Sequence, residues 1–127
     1  MIIRSLKQLE GSERDVFWGN GQSRRFLLQK DGMGYSLTDT VVEKGTTSLL
    51  EYKNHFEACY CIEGTGSVRT YADGKVYEIS PGTMYALDKH EKHYLYAETT
   101  MRLVCVFNPP LRGDESHSLD SNNSSSY

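Results

Sequence analysis

Turn signals recur along the middle of this chain at short, regular intervals, and they leave room only for short strands. EGTG occupies 63–66, ADGK 72–75 and SPGT 80–83. Between them lie SVRTY, VYEI and MYAL, each strand-length and rich in β-branched or aromatic residues. HYLYAE and MRLVCVFN follow, separated by Thr99-Thr100, and Pro109-Pro110 ends the last run because neither proline can donate to a ladder. Many short strands joined by tight turns predict an all-β fold, a small β-barrel of the jelly-roll kind, rather than a sheet with crossover helices.

Upstream, residues 1–10 read as a short strand or irregular edge, and 11–22 (GSERDVFWGNGQ) as a surface loop rich in turn formers. RRFLLQK at 24–30 reads as a strand and DGMG at 31–34 as a turn. YSLTDTVVEKG forms a strand ending at Gly45. TTSLLEYKN at 46–54 forms another, with Ser48, Leu50 and Tyr52 on one face. No long amphipathic helix and no internal repeat is visible. A chain of 127 residues fits one domain. Residues 1–119 are assigned to it, and the polar stretch 120–127 is expected to be a disordered tail.

The formal net charge of -3 and a pI near 5.8 give no electrostatic footprint for nucleic acid. No apolar run approaches the roughly 20 residues that span a bilayer. The N-terminal MIIRSLKQLEGSE lacks the layout of a secretion signal, which implies the cytoplasm. Three cysteines, an odd number, argue against a disulfide framework. Cys59 and Cys61 lie two apart in an apolar run and read as small core residues. Cys105 shares a strand face with Leu103 and Phe107.

The residues that carry chemistry lie in HFEACYCIEGTG (55–66) and PGTMYALDKHEKHYL (81–95). An acidic residue on an apolar strand, a glycine turn, a PGT turn, a short strand and a histidine follow the outline of a metal-binding cupin barrel. Glu57 stands where the first cupin motif carries its Glu, and His93 where the second carries its His. The motif's two upstream His positions are Glu51 and Lys53, so another ligand is needed, and Tyr85 is the candidate. A Glu, Tyr, His set offers oxygen and nitrogen donors, suited to Fe, Mn or Zn. His55 and His90 are weaker candidates: His90 reads as a loop residue, and His55 as lining the cavity or facing solvent.

The blocks SRRFLLQKDGMGYSLTDT, YKNHFEACYCIEGTG, ADGKVYEISPGTMYALDKHEKHYL and MRLVCVFNPP closely resemble the ectoine synthase family of cupins, over residues 1 to about 119. The resemblance implies condensation within one molecule: the α-amine of N-γ-acetyl-2,4-diaminobutyrate attacks the acetamide carbonyl, water leaves, and the cyclic amidine ectoine, a compatible solute, forms. It further implies an iron (Fe2+) site of Glu57, Tyr85 and His93, and a homodimer. Tyr52, Glu115 and His117 are then candidates for proton transfer and closure over the substrate. Arg25 is the candidate partner for its carboxylate, Thr40 a hydrogen-bond partner, and Cys105 and Phe107 the wall. Two features depart from the family. Gly21 stands where a Trp is usual, so that either Trp18 moves in or a wall is lost. The Gly113-Asp114-Glu115-Ser116-His117-Ser118 stretch keeps Glu and His but not their flanks. The alternatives are a degenerate cupin sensor or binding protein, and an enzyme favouring ectoine hydrolysis or a related amide reaction.

Overall fold

Strands that alternate inward and outward side chains must bury one face against another sheet. The computed structural model describes residues 1–115, 117 and 127. In chain order the elements are α1 (Leu6–Leu9), β1 (Asp15–Phe17), β2 (Gln22–Leu27), β3 (Ser36–Val42), β4 (Thr47–Leu50), β5 (Phe56–Glu63), β6 (Gly66–Thr70), β7 (Val76–Ile79), β8 (Met84–Leu87), β9 (His93–Ala97) and β10 (Met101–Asn108). A six-stranded sheet has the order β1-β2-β3-β10-β5-β8 and a four-stranded sheet the order β4-β9-β6-β7. All the strand pairs are antiparallel. The ladder does not run on from one sheet into the other, so the expected barrel is a two-sheet jelly-roll sandwich. No helix among the described residues is long and apolar enough to cross a membrane.

The alternation read from β5 and β10 is what fills the core. Glu57, Cys59 and Cys61 point in from β5, and Met101, Leu103, Cys105 and Phe107 from β10. Leu50, Val68, Leu95 and Ala97 cover them from the other sheet. The EGTG turn holds because Gly64 takes φ +82°, and a Cβ there would run into the Thr100 and Met101 backbone.

Three expectations change. Residues 1–10 contain a helical turn, not a strand: Ser5 and Gln8 form a reciprocal capping box at the start of α1. The expected surface loop 11–22 contains β1, which pairs with β2. The strands expected at 24–30 and 46–54 stop at Leu27 and Leu50.

The first stop has an electrostatic cause. A 3-10 turn at Gln29–Asp31 brings the Asp31 carboxylate back to the Leu28 N–H at 2.9 Å. The same carboxylate takes a bidentate pair from Arg14 at 3.0 and 3.2 Å and a further bond from Arg4 at 2.9 Å. This ties the N-terminal segment to the end of β2. A second cluster spans three strands, where Asp39 on β3 accepts from Arg24 on β2 (2.6 Å) and Arg102 on β10 (2.8 Å).

Burial alone would raise the Asp31 carboxyl, but the hydrogen bonds from Arg14, Leu28 and Arg4 outweigh it and hold it far below the carboxylate range. A depressed carboxyl stabilises the fold fully above its unfolded value near 3.8, and that contribution fades as pH falls below it. Asp31→Asn should therefore cost about 2 kcal/mol at pH 7, with the gap to wild type closing as the pH is lowered beneath 4. Urea melts at pH 7 and at acid pH check this.

Candidate metal and substrate pocket

Registers across the large sheet place five inward positions in one row. Arg25 on β2 opposes Thr38 on β3, Thr38 opposes Cys105 on β10, Cys105 opposes Cys59 on β5, and Cys59 opposes Tyr85 on β8. The neighbouring row runs Ser36, Phe107, Glu57, Leu87. Thr38, Cys105, Cys59, Tyr85, Phe107 and Glu57 of these rows floor a pocket between the sheets, which Thr40, Leu103 and Trp18 also line, while Arg25 borders a neighbouring cleft with Glu115, His117 and Tyr127. The opposite side is made by Leu50, Leu95 and Tyr52.

Glu57 lies within this pocket, 6% exposed, with no cationic partner among the described residues. Burial pushes its carboxyl up to about 7, against the opposing effect of the Cys59 and Cys105 thiols. Tyr85 is partly buried against the same core, and burial and then the charges of Cys59 and Glu57 raise its phenol well above its ordinary value. His93 enters from β9 on the other sheet and is fully buried. Its Nδ1 lies 2.8 Å from the Glu91 carbonyl. A carbonyl only accepts, so that nitrogen carries the proton and Nε2 presents its lone pair. Nε2 is buried and has no hydrogen-bond partner among the described residues.

A buried carboxylate met only by thiols, a phenol and an oriented imidazole nitrogen without a partner among the described residues are groups that a cation would satisfy together, and a backbone-anchored Nδ1 is the usual support of a metal-binding histidine. The donors are compatible with a metal ion. The tightest cluster, however, is Glu57, Cys59 and Cys105, whose donor atoms lie within 4.8 Å of one another. His93 stands outside it and meets the pocket through Tyr52, whose ring centroid is 5.6 Å from its own.

Tyr52 lies just beyond β4, not within a strand, and is buried. Its ring also meets Phe107 at 5.5 Å and His117 at 5.6 Å. Burial, then Glu57, raises its phenol well above 10.0, so its hydroxyl keeps its proton. His117 lines the pocket and its Nδ1 is buried, with no hydrogen-bond partner among the described residues. Burial, then Arg25 and His93, lowers it to about 3, which keeps the ring neutral. Glu115 lies apart from this pocket's lining. Its oxygens accept the N–H groups of Arg112 and Gly113, both at 2.9 Å, and one lies 3.9 Å from His55 Nε2. Burial would raise Glu115, but those backbone bonds prevail and keep it ionised.

Arg25 is 2% exposed. Its guanidinium donates to the Gly113 carbonyl at 2.8 Å and the Tyr127 hydroxyl at 3.0 Å, and it has no carboxylate partner among the described residues. Tyr127 belongs to the stretch expected to be disordered, yet it is buried, stacked on His117 with centroids 3.8 Å apart. Residues 120–126 of that expected tail, and Ser116 and Ser118 of the altered motif, lie outside the described residues. Nothing in the sequence signals where Tyr127 goes.

The Gly21 departure is resolved by Trp18. A Cβ at Gly21 would collide with the Val41 carbonyl, while Trp18 donates Nε1–H to that carbonyl at 3.0 Å and fills the wall. His55 is buried, bonded through Nδ1 to the Pro109 carbonyl at 2.7 Å. His90 lies in the loop before β9, bonded to the Tyr52 carbonyl at 2.7 Å. Both staple backbone. The sequence reading missed Ser23, Thr38 and Cys59 as pocket residues, although the two-residue spacing from Glu57 already put Cys59 on its face.

Two facing sheets with a polar interior pocket define a cupin. An RmlC-like cupin from Shewanella frigidimarina has the same fold, with a TM-score of 0.64 at 19% identity over 79% of this chain and 86% of that one. A family model described as ectoine synthase matches residues 1–126. The L-ectoine synthase of Oceanobacillus iheyensis is 51% identical over 120 residues, 94% of each chain. That of Halalkalibacterium halodurans is 52% identical over 117 residues, 92% of this chain and 91% of that one. The crystal structure of ectoine synthase from P. lautus superposes with a TM-score of 0.86 at 54% identity, covering 89% of this chain and 81% of that one. The chain belongs to the ectoine synthase family.

A raised carboxyl pKa sets a test of the pocket. Without a cation, the folded state holds the Glu57 proton more tightly than the unfolded chain does. That contribution is full below the unfolded value of 4.5 and is lost as pH rises to about 7. Chelator-treated protein should lose on the order of 3 kcal/mol across that window relative to Glu57→Gln, whose neutral amide does not titrate. Chemical denaturation of both proteins along the pH series measures it.

Proposed function

We propose that this protein is an ectoine synthase, closing N-γ-acetyl-2,4-diaminobutyrate to ectoine with loss of water. One observation carries the reading: a single register row has at one end Arg25, a buried guanidinium without a carboxylate partner among the described residues, and at the other Tyr85, beside the buried Glu57 carboxylate. The substrate has matching ends, a carboxylate and an amide carbonyl. Arg25 takes the carboxylate through its planar fork. Thr40 offers a hydroxyl beside it, and Cys105 and Phe107 form an apolar wall that keeps the chain folded so that amine and carbonyl meet. Such positioning can supply about 7–11 kcal/mol in favourable cases.

Glu57, Tyr85 and His93 are the residues assigned to hold a divalent cation. Two oxygen donors and one imidazole suit Fe2+, with Mn or Zn as other occupants. When bound there, the ion supplies Lewis-acid polarisation of an amide oxygen. The remaining work falls to the protein. Neutral His117, with its Nδ1 unpartnered among the described residues, relays the first amine proton to the acyl oxygen, its basicity rising once the substrate carboxylate offsets the Arg25 charge that, after burial, holds it low. Tyr52 gives its hydroxyl proton to that oxygen as it departs as water and regains one from the second N–H of the amine nitrogen as the C=N bond forms. Glu115 acts by position: its carboxylate gathers the Arg112 and Gly113 N–H groups and so holds the segment that carries His117. Trp18, Leu50 and Leu95 keep bulk water from returning the product to the open amide.

Residues 1–119 act as one catalytic domain in this reading. The protein works in the cytoplasm, consistent with three buried thiols and no disulfide. It works as a homodimer. Support for the dimer comes from the outer face of the β10, β5 and β8 ladder, where Phe56, Tyr60, Met84 and Val106 stand exposed and adjacent. A contiguous apolar patch of that kind marks an interface. Tyr60→Glu should convert dimer to monomer in sedimentation velocity, with the circular dichroism of the fold retained.

The decisive assay is direct. Iron-loaded protein given N-γ-acetyl-2,4-diaminobutyrate should release ectoine, followed by chromatography. Glu57→Ala should lose bound iron, and Arg25→Ala should lower kcat/KM by roughly a hundredfold. No ectoine from the iron-loaded wild type would end the proposal.

A further inference from the structure

Cys59 and Cys105 have no part in the chemistry above beyond lining the pocket, yet their placement is specific. They face each other directly across the β5–β10 pair, with Sγ atoms 3.4 Å apart. Both are buried, and both donor atoms lie within 4.8 Å of the Glu57 carboxylate. The third thiol is excluded from the group. Cys61 shares the face but bonds the Glu63 and Gly64 carbonyls of the glycine turn, at 3.3 and 3.5 Å.

We propose that Glu57, Cys59 and Cys105 form a second coordination set in this pocket, one that holds a thiophilic divalent ion, zinc above all, in place of the oxygen-and-nitrogen set. The spacing fits that use. Tetrahedral zinc with bonds to sulfur of about 2.3 Å sets two thiolate sulfurs roughly 3.8 Å apart. The observed 3.4 Å needs only a small spread. The strands that carry the two residues are paired in register on either side of them, so the sulfurs stay together without help from a ligand. Two sulfurs and one carboxylate oxygen leave a fourth position for water, or for the Tyr85 oxygen from the strand opposite Cys59. Each thiol gives its proton to solvent as its bond to the metal forms, so the filled set carries the charge of two thiolates and one carboxylate against the ion.

Soft donors favour zinc over ferrous iron, whereas phenolate, carboxylate and imidazole discriminate less. The two sets share Glu57 and so exclude each other. The pocket therefore sorts metals by which side of Glu57 they settle on: zinc drawn toward the β5–β10 sulfurs, iron toward Tyr85 and His93. The inference rests on the preceding reading only through the shared carboxylate.

Cobalt(II) tests it, because a cobalt–thiolate bond shows a charge-transfer band in the near ultraviolet that oxygen and nitrogen ligands do not produce. Full-length protein, reduced and freed of metal, is titrated with Co2+ and then with Zn2+. One equivalent of cobalt should bind with a sulfur band. The band should be lost in Cys59→Ser and Cys105→Ser and retained in His93→Ala. Zinc affinity should fall roughly tenfold or more in each cysteine variant. Cobalt bound by wild type without the band, and released in His93→Ala, would overturn the thiolate set and leave the oxygen-and-nitrogen reading standing. A wild type that binds no cobalt overturns it too. The wild-type spectrum decides alone if a cysteine variant fails to fold. Conversely, a sulfur band together with iron binding indifferent to His93→Ala and Tyr85→Phe would sustain the thiolate set and remove the reading built on those two residues.

Discussion

Glu57 lies between two sheets, and among the described residues no lysine, arginine or histidine pairs with it. A buried carboxylate in that condition either keeps a proton or takes a cation, and both choices cost stability when unmet. Much of the interior answers this constraint. The Glu91 carbonyl fixes the His93 tautomer so that a lone pair is available, and the Cys59 and Cys105 thiols crowd the carboxylate from one side. Tyr85 stands beside it on the edge strand of the sheet.

The cleft next to the pocket, which shares His117 and Tyr127 with it, poses the inverse problem. Arg25 is a buried cation bonded to a carbonyl and a hydroxyl, with no carboxylate partner among the described residues. The two unmatched charges are kept apart by the sheet itself: three strand intervals separate Arg25 from Cys59, and rigid ladders hold that spacing. A molecule with an anionic end and a polarisable carbonyl end meets both needs at once. The surrounding framework is charged in a different manner. Asp31 and Asp39 are fully paired with arginines on the periphery, where they join segments and do no chemistry.

Much of this was legible in the chain itself. The strands β7, β8 and β10 fall where VYEI, MYAL and MRLVCVFN stand, because turn residues bound them on both sides and alternation is regular within them. The first thirty residues were harder. β1 is only three residues long and owes its existence to pairing with β2, and the end of β2 is set by an aspartate that reaches its partners across the fold. The capping box at Ser5 and Gln8 was visible in the letters and would have given α1 directly. At the pocket, Glu57, Tyr85, Tyr52 and Phe107 stand out in the sequence and line one cavity, while Arg25 borders the adjacent cleft. From the sequence Cys59 reads only as core, because a small buried thiol looks the same whether it packs or binds.

The sequence by itself determined the all-β pattern, the strand faces and the residue types able to meet a small anionic amide, since period-two alternation and turn chemistry are local properties. Only the tertiary structure decided which of those faces look at each other. Strand register placed Cys105 opposite Cys59 and Arg25 in line with Tyr85, Trp18 replaced a wall that Gly21 cannot supply, and Tyr127 came to rest against His117. Those outcomes depend on pairings between residues far apart in the chain, whose energies no local stretch contains.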